Sequence, residues 1–91
     1  MTDTWVDGNE LAGPLREVFA LDMTVARGQC AACGRTQAIA EVRVYVRAPG
    51  YVARCPGCDS VLLRVVRWPD RMWLDLTGLR VLEFAVPPAD A

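Results

Sequence analysis

Two closely spaced pairs of cysteines limit the folds open to this chain more than any other feature. Cys30 and Cys33 form the first pair, Cys55 and Cys58 form the second, and two residues separate the cysteines within each pair. Two thiolates at this spacing on a tight turn can point at one ion. A second such turn completes a tetrahedron with metal–sulfur distances of about 2.3 Å. The pattern therefore predicts one metal site with four cysteine ligands.

Four sulfur ligands indicate a structural zinc ion. Such a site leaves no open coordination position and therefore no metal-bound water for catalysis. Iron in a rubredoxin-like site is an alternative, because tetrahedral sulfur also suits iron. Two disulfides would need an oxidising compartment, and thioredoxin-type redox chemistry is typical of a single such motif beside a βαβ unit. Both are weaker alternatives.

The residues around the two pairs repeat weakly. Gly34 and Asp59 follow the pairs at positions where a positive φ is commonly needed. Val25-Ala26-Arg27 precedes the first pair, Val52-Ala53-Arg54 precedes the second, and a β-rich run follows each. Two strand–turn–strand hairpins that face each other would explain the repeat, although motifs this short also arise by chance.

Chain length explains why a metal would be needed. Ninety-one residues and 10.0 kDa make one small domain, and a domain of this size gains little net stability from its core alone. The apolar content of 53% argues against disorder. No apolar run could span a membrane and the N-terminus lacks a secretory signal, so we expect a cytoplasmic protein with no membrane contact. We expect one domain over residues 7–86, with flexible tails at 1–6 and 87–91.

An N-terminal helix is predicted first. Asp7 and Glu10 are spaced like the two members of a capping box. Pro14 interrupts the helical pattern, so we expect a kink there or a new helix that starts at this residue. The apolar face of the helix comprises Leu11, Leu15, Val18 and Phe19.

Alternation of apolar and polar residues then predicts strands. It runs from Ala40 to Arg47, and residues 48–51 fit a type II turn with proline and glycine at its centre. The partner strand is expected over 51–54. Further strands are expected over 60–68, 72–76 and 79–86, and the last two would form a hairpin with Asp75 opposite Glu83. The pattern favours an α+β fold: an antiparallel sheet of about five to six short strands with one N-terminal helix.

Longer segments of the chain resemble a known family. The segments are Asp7 to Leu15, the CAACG run over 30–34, Ala48-Pro49-Gly50 and Arg54 to Cys58. They are similar to a family of small bacterial proteins of unknown function, and the paired cysteine turns resemble a zinc ribbon. The resemblance covers about residues 7–86, and Asp59 departs from the glycine found in many ribbon turns. The resemblance implies a zinc-ribbon-like fold with the zinc ligands Cys30, Cys33, Cys55 and Cys58. It supplies no activity, because the family has no known one.

No catalytic constellation is found in the sequence. The chain has no histidine, which is the usual general base near neutral pH. Its glycines are scattered and form no phosphate-binding loop. We therefore expect a protein that is not an enzyme and has no small-molecule substrate.

An arginine-rich middle is the second feature that bears on function. The formal net charge is −1, but residues 35–71 hold seven arginines against three acidic residues. Arginines interleaved with aromatic residues suit phosphate pairing and base stacking, and they also anchor protein interfaces. The alternative without a binding role is that Trp68 and Trp73 lie in the core, and that the arginines lie over aromatic faces or pair with Glu41, Asp59 and Asp70. The candidate binding face comprises Arg43, Tyr45, Arg47, Tyr51, Arg54, Arg64, Arg67, Trp68, Arg71 and Trp73.

These observations favour a non-catalytic adapter module that binds a protein partner or a second copy of itself. Small sheets have edge strands that need covering, which favours such contacts. Because the net charge is near neutral, nucleic acid is the alternative partner. An iron electron carrier is the second alternative.

Overall fold

Two antiparallel sheets and one short helix make up the described part of the chain. The computed structural model describes residues 4–16, 23–47 and 50–85. The helix, α1, comprises Ala12–Arg16. This architecture, with its cluster of four cysteines, is compatible with the predicted α+β zinc-ribbon-like fold. The strands in these ranges are β1 (Val6–Asp7), β2 (Arg27–Cys30), β3 (Thr36–Ala38), β4 (Arg43–Arg47), β5 (Gly50–Arg54), β6 (Val61–Trp68), β7 (Arg71–Asp75) and β8 (Leu79–Glu83).

The larger sheet has five strands in the order β1-β4-β5-β6-β7. Residues directly opposite each other in an antiparallel pair share one face of the sheet. The register aligns Val44 with Ala53 and Ala53 with Leu63, and all three side chains are buried. One face of this sheet therefore packs on the core, and the other face carries the intervening polar and aromatic residues.

The smaller sheet has three strands in the order β3-β2-β8. Strands β2 and β3 form a local hairpin around the first cysteine turn. Strand β8 comes from far along the chain and pairs antiparallel with β2, which puts Gly28 opposite Leu82. Each sheet thus contributes one cysteine turn, because β5 and β6 flank the second turn.

The chain crosses from the larger sheet to the smaller one at Gly78. Asp75 ends β7, and its carboxylate accepts hydrogen bonds from the Thr77 backbone N–H at 2.9 Å and the Thr77 hydroxyl at 2.7 Å. A Cβ at Gly78 would overlap the Val61 carbonyl oxygen, so only glycine allows this close passage. The Gly78 carbonyl oxygen accepts from the Ala31 N–H at 2.9 Å. These contacts direct β8 towards β2, so the predicted hairpin of the last two strands is wrong.

The N-terminal segment begins with a cap at Asp7, but among the described residues the reciprocal bond of Glu10 that completes the predicted capping box is not formed. The Asp7 carboxylate accepts from the Asn9 backbone N–H at 3.0 Å and starts a 3-10 turn over Gly8–Leu11. The chain becomes α-helical at Ala12, so Pro14 lies in the first turn of α1, where no intrahelical N–H donor is needed. Leu11 is buried in the core, as predicted. Leu15 is buried too, and the predicted helical positions Val18 and Phe19 lie outside the described residues.

The core lies between the helical segments and the buried faces of the two sheets. It joins aliphatic side chains from both sheets with one cysteine from each turn, which packs the metal turns directly against the interior. The buried members are Leu11, Leu15, Met23, Ala26, Cys30, Ile39, Val42, Val44, Ala53, Cys55, Leu62, Leu63 and Val65.

The strand predictions need three further corrections. The described residues contain eight strands and not the five or six expected, because β1, β2 and β3 have only two, four and three residues and are too short to show a clear periodicity. The strand predicted from Ala40 begins at Arg43, since Ile39–Glu41 form a 3-10 turn. Val42 is buried as the alternation indicates, but Val46 is 47% exposed. Strand β8 ends at Glu83, and the predicted end at 86 lies outside the described residues.

Candidate metal centre and arginine-rich sheet face

The first cysteine turn joins β2 to β3. The Cys30 backbone N–H donates to the Arg35 carbonyl oxygen at 2.8 Å, and the Gly34 N–H donates to the Cys30 carbonyl oxygen at 2.9 Å. Gly34 adopts a φ of 82° at the end of this turn. Glycine reaches that region without the Cβ clash that other residues meet.

The second cysteine turn joins β5 to β6 and repeats the same hydrogen bonds. The Cys55 N–H donates to the Ser60 carbonyl oxygen at 2.9 Å, and the Asp59 N–H donates to the Cys55 carbonyl oxygen at 2.7 Å. Asp59 has a φ of 66°. The Gly57 N–H also donates to the Cys55 sulfur at 3.3 Å. The prediction of two facing strand–turn–strand hairpins with a positive φ after each pair is confirmed.

The four sulfur atoms lie close enough together to share one metal ion. The Sγ atoms of Cys30 and Cys58 are 3.7 Å apart, and so are those of Cys33 and Cys55. All four lie within 4.8 Å of one another. Metal–sulfur bonds of about 2.3 Å place the corners of a tetrahedron about 3.8 Å apart. The four cysteines therefore come together as predicted and could bind a metal ion.

The same distances argue against disulfides. A disulfide bond requires a sulfur separation near 2.05 Å, and all four cysteines are free thiols. The closest sulfur contacts also join the two turns to each other. A shared central ion accounts for this arrangement directly.

The turns present one buried and one exposed cysteine each. Cys30 and Cys55 are 2% and 0% exposed and belong to the core, whereas Cys33 and Cys58 are exposed. An ion at the centre would therefore be anchored by the interior on one side and reached by solvent on the other. The metal would join the two sheets, because Cys30 ends β2 and Cys55 follows β5.

The two exposed cysteines of the cluster differ in thiol pKa. Hydrogen bonds from the Ser60 side chain and backbone lower the pKa of Cys58 to about 6. At Cys33 the Arg35 backbone N–H favours the thiolate, but desolvation and hydrogen bonds with the other sulfurs outweigh it and raise the pKa to about 11. Cys33 thus keeps its proton while Cys58 is a thiolate, because a neighbouring negative charge disfavours ionisation. A divalent cation would allow all four to ionise.

The larger sheet assembles most of the predicted binding residues. The pairings Arg43 with Arg54 and Val66 with Trp73 show which side chains share its outer face. Strand alternation and the remaining pairings extend that face from β4 to β7. Eight of the ten predicted residues lie on it: Arg43, Tyr45, Arg47, Arg54, Arg64, Trp68, Arg71 and Trp73.

The other two predicted residues lie on the opposite face. Tyr51 pairs with Val65 and packs against the core. Arg67 pairs with Met72, whose side chain also packs against the core. Tyr51 and Arg67 fall one residue out of phase with the outward positions, so alternation separates them from the rest.

Trp5 is a ninth member of this surface that the sequence analysis missed. The Arg43 guanidinium lies 5.0 Å from the centre of the Trp5 ring, and Trp5 is 46% exposed. No periodic signal marks this residue, because it precedes a strand of only two residues. We call these nine residues the basic face: Trp5, Arg43, Tyr45, Arg47, Arg54, Arg64, Trp68, Arg71 and Trp73.

A protein-family model matches residues 1–87 of the chain. The chain belongs to DUF6510, a family of unknown function. No curated protein and no solved structure matches the chain. Membership of DUF6510 agrees with the expected resemblance to a family without a known activity.

The basic face of this DUF6510 protein has a shallow depression over β4 and β5. The depression measures about 310 Å³ and is lined by Tyr45, Arg47, Val52, Arg54 and Asp59. The Arg54 guanidinium lies 5.9 Å from the Tyr45 ring centre and donates to the Asp59 carbonyl oxygen at 2.8 Å. A tyrosine ring between two arginines is therefore accessible from solvent.

The smaller sheet of the DUF6510 protein has a different surface. Its outer face is lined with Val81, Arg27 and Glu83, and Val25 and Phe84 continue it. Val25 is 75% exposed, Val81 51% and Phe84 40%. One basic and one acidic side chain accompany these apolar residues, so the surface is apolar and locally neutral. Among the described residues, no helix has the length and hydrophobicity to cross a membrane.

Proposed function

We propose that this DUF6510 protein is a non-catalytic binding module whose fold depends on one structural zinc ion. The proposal is carried by the four sulfurs, whose 3.7 Å contacts match the edges of a zinc–thiolate tetrahedron. Four thiolates fill the coordination sphere, so the ion would have no position for water or substrate. The metal would supply positive charge and cross-linking, and Cys30, Cys33, Cys55 and Cys58 would hold it.

The metal assignment is tested by elemental analysis of protein purified without added metal. We expect one zinc per chain and a colourless protein. A red protein with one iron per chain and a reversible one-electron couple would contradict the zinc assignment and support an iron electron carrier. A folded chain that contains no metal would contradict both assignments.

We propose that the partner is a protein or a second copy of this chain, bound by the surface of the smaller sheet. Exposed Val25, Val81 and Phe84 support this proposal, because half-exposed apolar side chains that adjoin one another are typical of interaction surfaces. Strand β8 also lies at the edge of its sheet, and an edge strand can pair with another chain. Free thiols suit a reducing compartment, which supports a cytoplasmic location.

The partner proposal is tested by comparing Val81→Asp with Val46→Asp. Both valines are about half exposed, but they lie in different sheets. Sedimentation over a concentration series measures self-association, and affinity capture from cell extract measures bound proteins. We expect Val81→Asp to abolish dimers or one stoichiometric partner that Val46→Asp retains. A wild-type monomer with no partner sensitive to Val81→Asp would refute the proposal.

A further inference from the structure

We propose that the basic face binds single-stranded nucleic acid. The inference goes beyond the protein partner proposed for the smaller sheet, because it concerns the other sheet. It rests on the proposed zinc module in one respect: the metal must hold the turn between β5 and β6. The partner class follows from the charge, the exposed rings and the width of the face.

The charge of the face favours an anionic partner. Arg43, Arg47, Arg54, Arg64 and Arg71 lie on it, and Asp7 and Asp75 are the acids aligned with them in the sheet register. Asp59 and Asp70 lie at its borders. Within the sheet register the face therefore holds five arginines against two acids, although the chain as a whole is close to neutral. If two copies met through this face, the arginines of one would lie near the arginines of the other. The repulsion between like charges disfavours self-association through the face.

The exposed rings favour bases over an acidic peptide. Trp68 is 56% exposed, Trp73 52% and Trp5 46%, although tryptophan is normally well buried. The alternative that places Trp68 and Trp73 in the core is therefore wrong. Aromatic rings on an open sheet surface provide stacking platforms for unpaired bases, and arginine pairs with the intervening phosphates. The carboxylates of an acidic peptide would pair with the arginines but would not stack on the rings as bases do.

Two neighbouring rows of residues across the sheet suit a single strand of nucleic acid that runs perpendicular to the β-strands. Neighbouring strands are about 4.8 Å apart, so β4 and β7 are separated by roughly 14 Å. The register places Tyr45 in one row with Arg64, and Arg47 in the next row with Trp73. The depression beside Tyr45 adds a recess of about 310 Å³ between two arginines. A single strand of nucleic acid crossing the sheet along either row would meet one ring and one cation.

The experiment measures binding of the zinc-loaded full chain to fluorescein-labelled oligothymidine by fluorescence anisotropy over a salt series. We expect binding that weakens as salt rises, together with quenching of tryptophan fluorescence. The double variant Arg64→Ala/Arg71→Ala should bind about tenfold more weakly at low salt and lower the log–log salt slope by about 1.4, since each phosphate contact to a single strand contributes about 0.7. Arg16→Ala/Arg80→Ala removes the same charge from exposed positions elsewhere and should bind like wild type.

Stacking is tested by one aromatic position in two variants. Trp73→Ala should weaken binding about fivefold to tenfold, because one stacked base is lost, whereas Trp73→Phe keeps a ring and should recover most of the affinity. Equal affinities for the two variants would remove stacking from the proposal and overturn it. Zinc content and circular dichroism are recorded on every sample, so that loss of binding is read only from folded, metal-loaded protein.

Three further results would overturn the inference. One is folded, zinc-loaded wild-type protein that does not bind oligothymidine at low salt; this result would leave the zinc module intact. Another is equal loss of affinity in the two double arginine variants. The third is equal or tighter binding of polyglutamate or of duplex DNA, which would assign the face to an acidic protein or to duplex backbone. Failure to retain zinc would instead contradict the proposed module itself.

Discussion

The two cysteine turns make the same backbone hydrogen bonds with different residues. In each turn the first cysteine donates to a carbonyl oxygen five residues ahead and accepts from an N–H four residues ahead. The residue at positive φ is Gly34 in one turn and Asp59 in the other. The metal-binding geometry thus specifies the backbone of the turn, and a residue other than glycine is tolerated at positive φ where hydrogen bonds on both sides hold it in place.

The turns also differ in the side chain that follows the positive-φ residue. Arg35 and Ser60 occupy equivalent positions, since each accepts from the first cysteine of its turn. Only Ser60 offers a hydroxyl to the exposed cysteine beside it, and the pKa of Cys58 is lowered accordingly. The exposed cysteines are thus geometrically equivalent and chemically distinct.

Removing one exposed cysteine from either turn should have the largest effect. Cys33→Ala and Cys58→Ala should each lose the metal and leave a largely unfolded or aggregating chain, because metal binding and folding are one equilibrium. Circular dichroism and zinc content measure both losses. If one variant stays folded without metal while the other does not, the two turns are unequal in a way that their shared hydrogen bonds do not explain.

Gly34→Ala should give the next largest effect. It should lower the free energy of unfolding by about 1–2 kcal/mol, because an alanine at this φ meets the left-handed clash. No atom lies within 4 Å of the added Cβ, so the cost would be confined to the backbone. Gly13→Ala is the matched control: its Cβ also meets nothing, but it lies in α1, where alanine should stabilise by about 0.5–1 kcal/mol. Denaturant titration of zinc-loaded protein distinguishes the two, and equal shifts would disprove the backbone explanation.

Asp59→Gly should have a smaller effect of opposite sign. Glycine would relieve the strain at a φ of 66°, although its greater freedom in the unfolded chain offsets part of the gain. We expect a stabilisation of about 0.5 kcal/mol, and Asp59→Ala should instead destabilise. Thermal unfolding of both variants measures the difference. A destabilised Asp59→Gly would mean that the aspartate side chain contributes more than its backbone costs.

Ser60→Ala should have the smallest effect, which emerges only as pH falls. Protonation of the thiolates releases the metal, and Ser60 holds the pKa of Cys58 down. Without the hydroxyl the pKa of Cys58 rises, so protons compete with zinc for the Cys58 sulfur at a higher pH. Zinc release should therefore begin at a higher pH than in wild type. Ser60→Thr keeps a hydroxyl and should release zinc as wild type does. A zinc-indicator dye followed across an acid titration provides the measurement, and coincident curves for Ser60→Ala and wild type would exclude this role.

Local patterns predict those parts of the structure that depend on near neighbours in sequence. The cysteine cluster, the positive φ after each pair, the capped N-terminus and the outward positions of β4 were all accessible in this way. Each depends on residues a few positions apart. Alternation along β4 thus identified Arg43, Tyr45 and Arg47 as one set.

The parts that could not be predicted depend on contacts between distant segments. Thr77 and Gly78 resemble an ordinary hairpin turn, and only the passage of Gly78 against β6 shows that β8 leaves for the other sheet. Trp5 joins the basic face because β1 pairs with β4. Tyr51 and Arg67 lie on the opposite face because their positions are one residue out of phase with the outward positions of their strands. Only the register of β4, β5 and β6 shows which positions point outward.

The pairing of β8 with β2 has a consequence for the order in which the chain can fold during synthesis. Cys30 lies opposite Leu79 in that pairing, so the smaller sheet stays incomplete while the intervening chain, including the whole second cysteine turn, is translated. At about 5–20 residues per second this interval lasts roughly 3–10 seconds. The four sulfurs are all available before β8 emerges. A nascent chain could therefore capture its metal while one sheet still lacks its edge, and the last strand would close onto a centre that is already assembled.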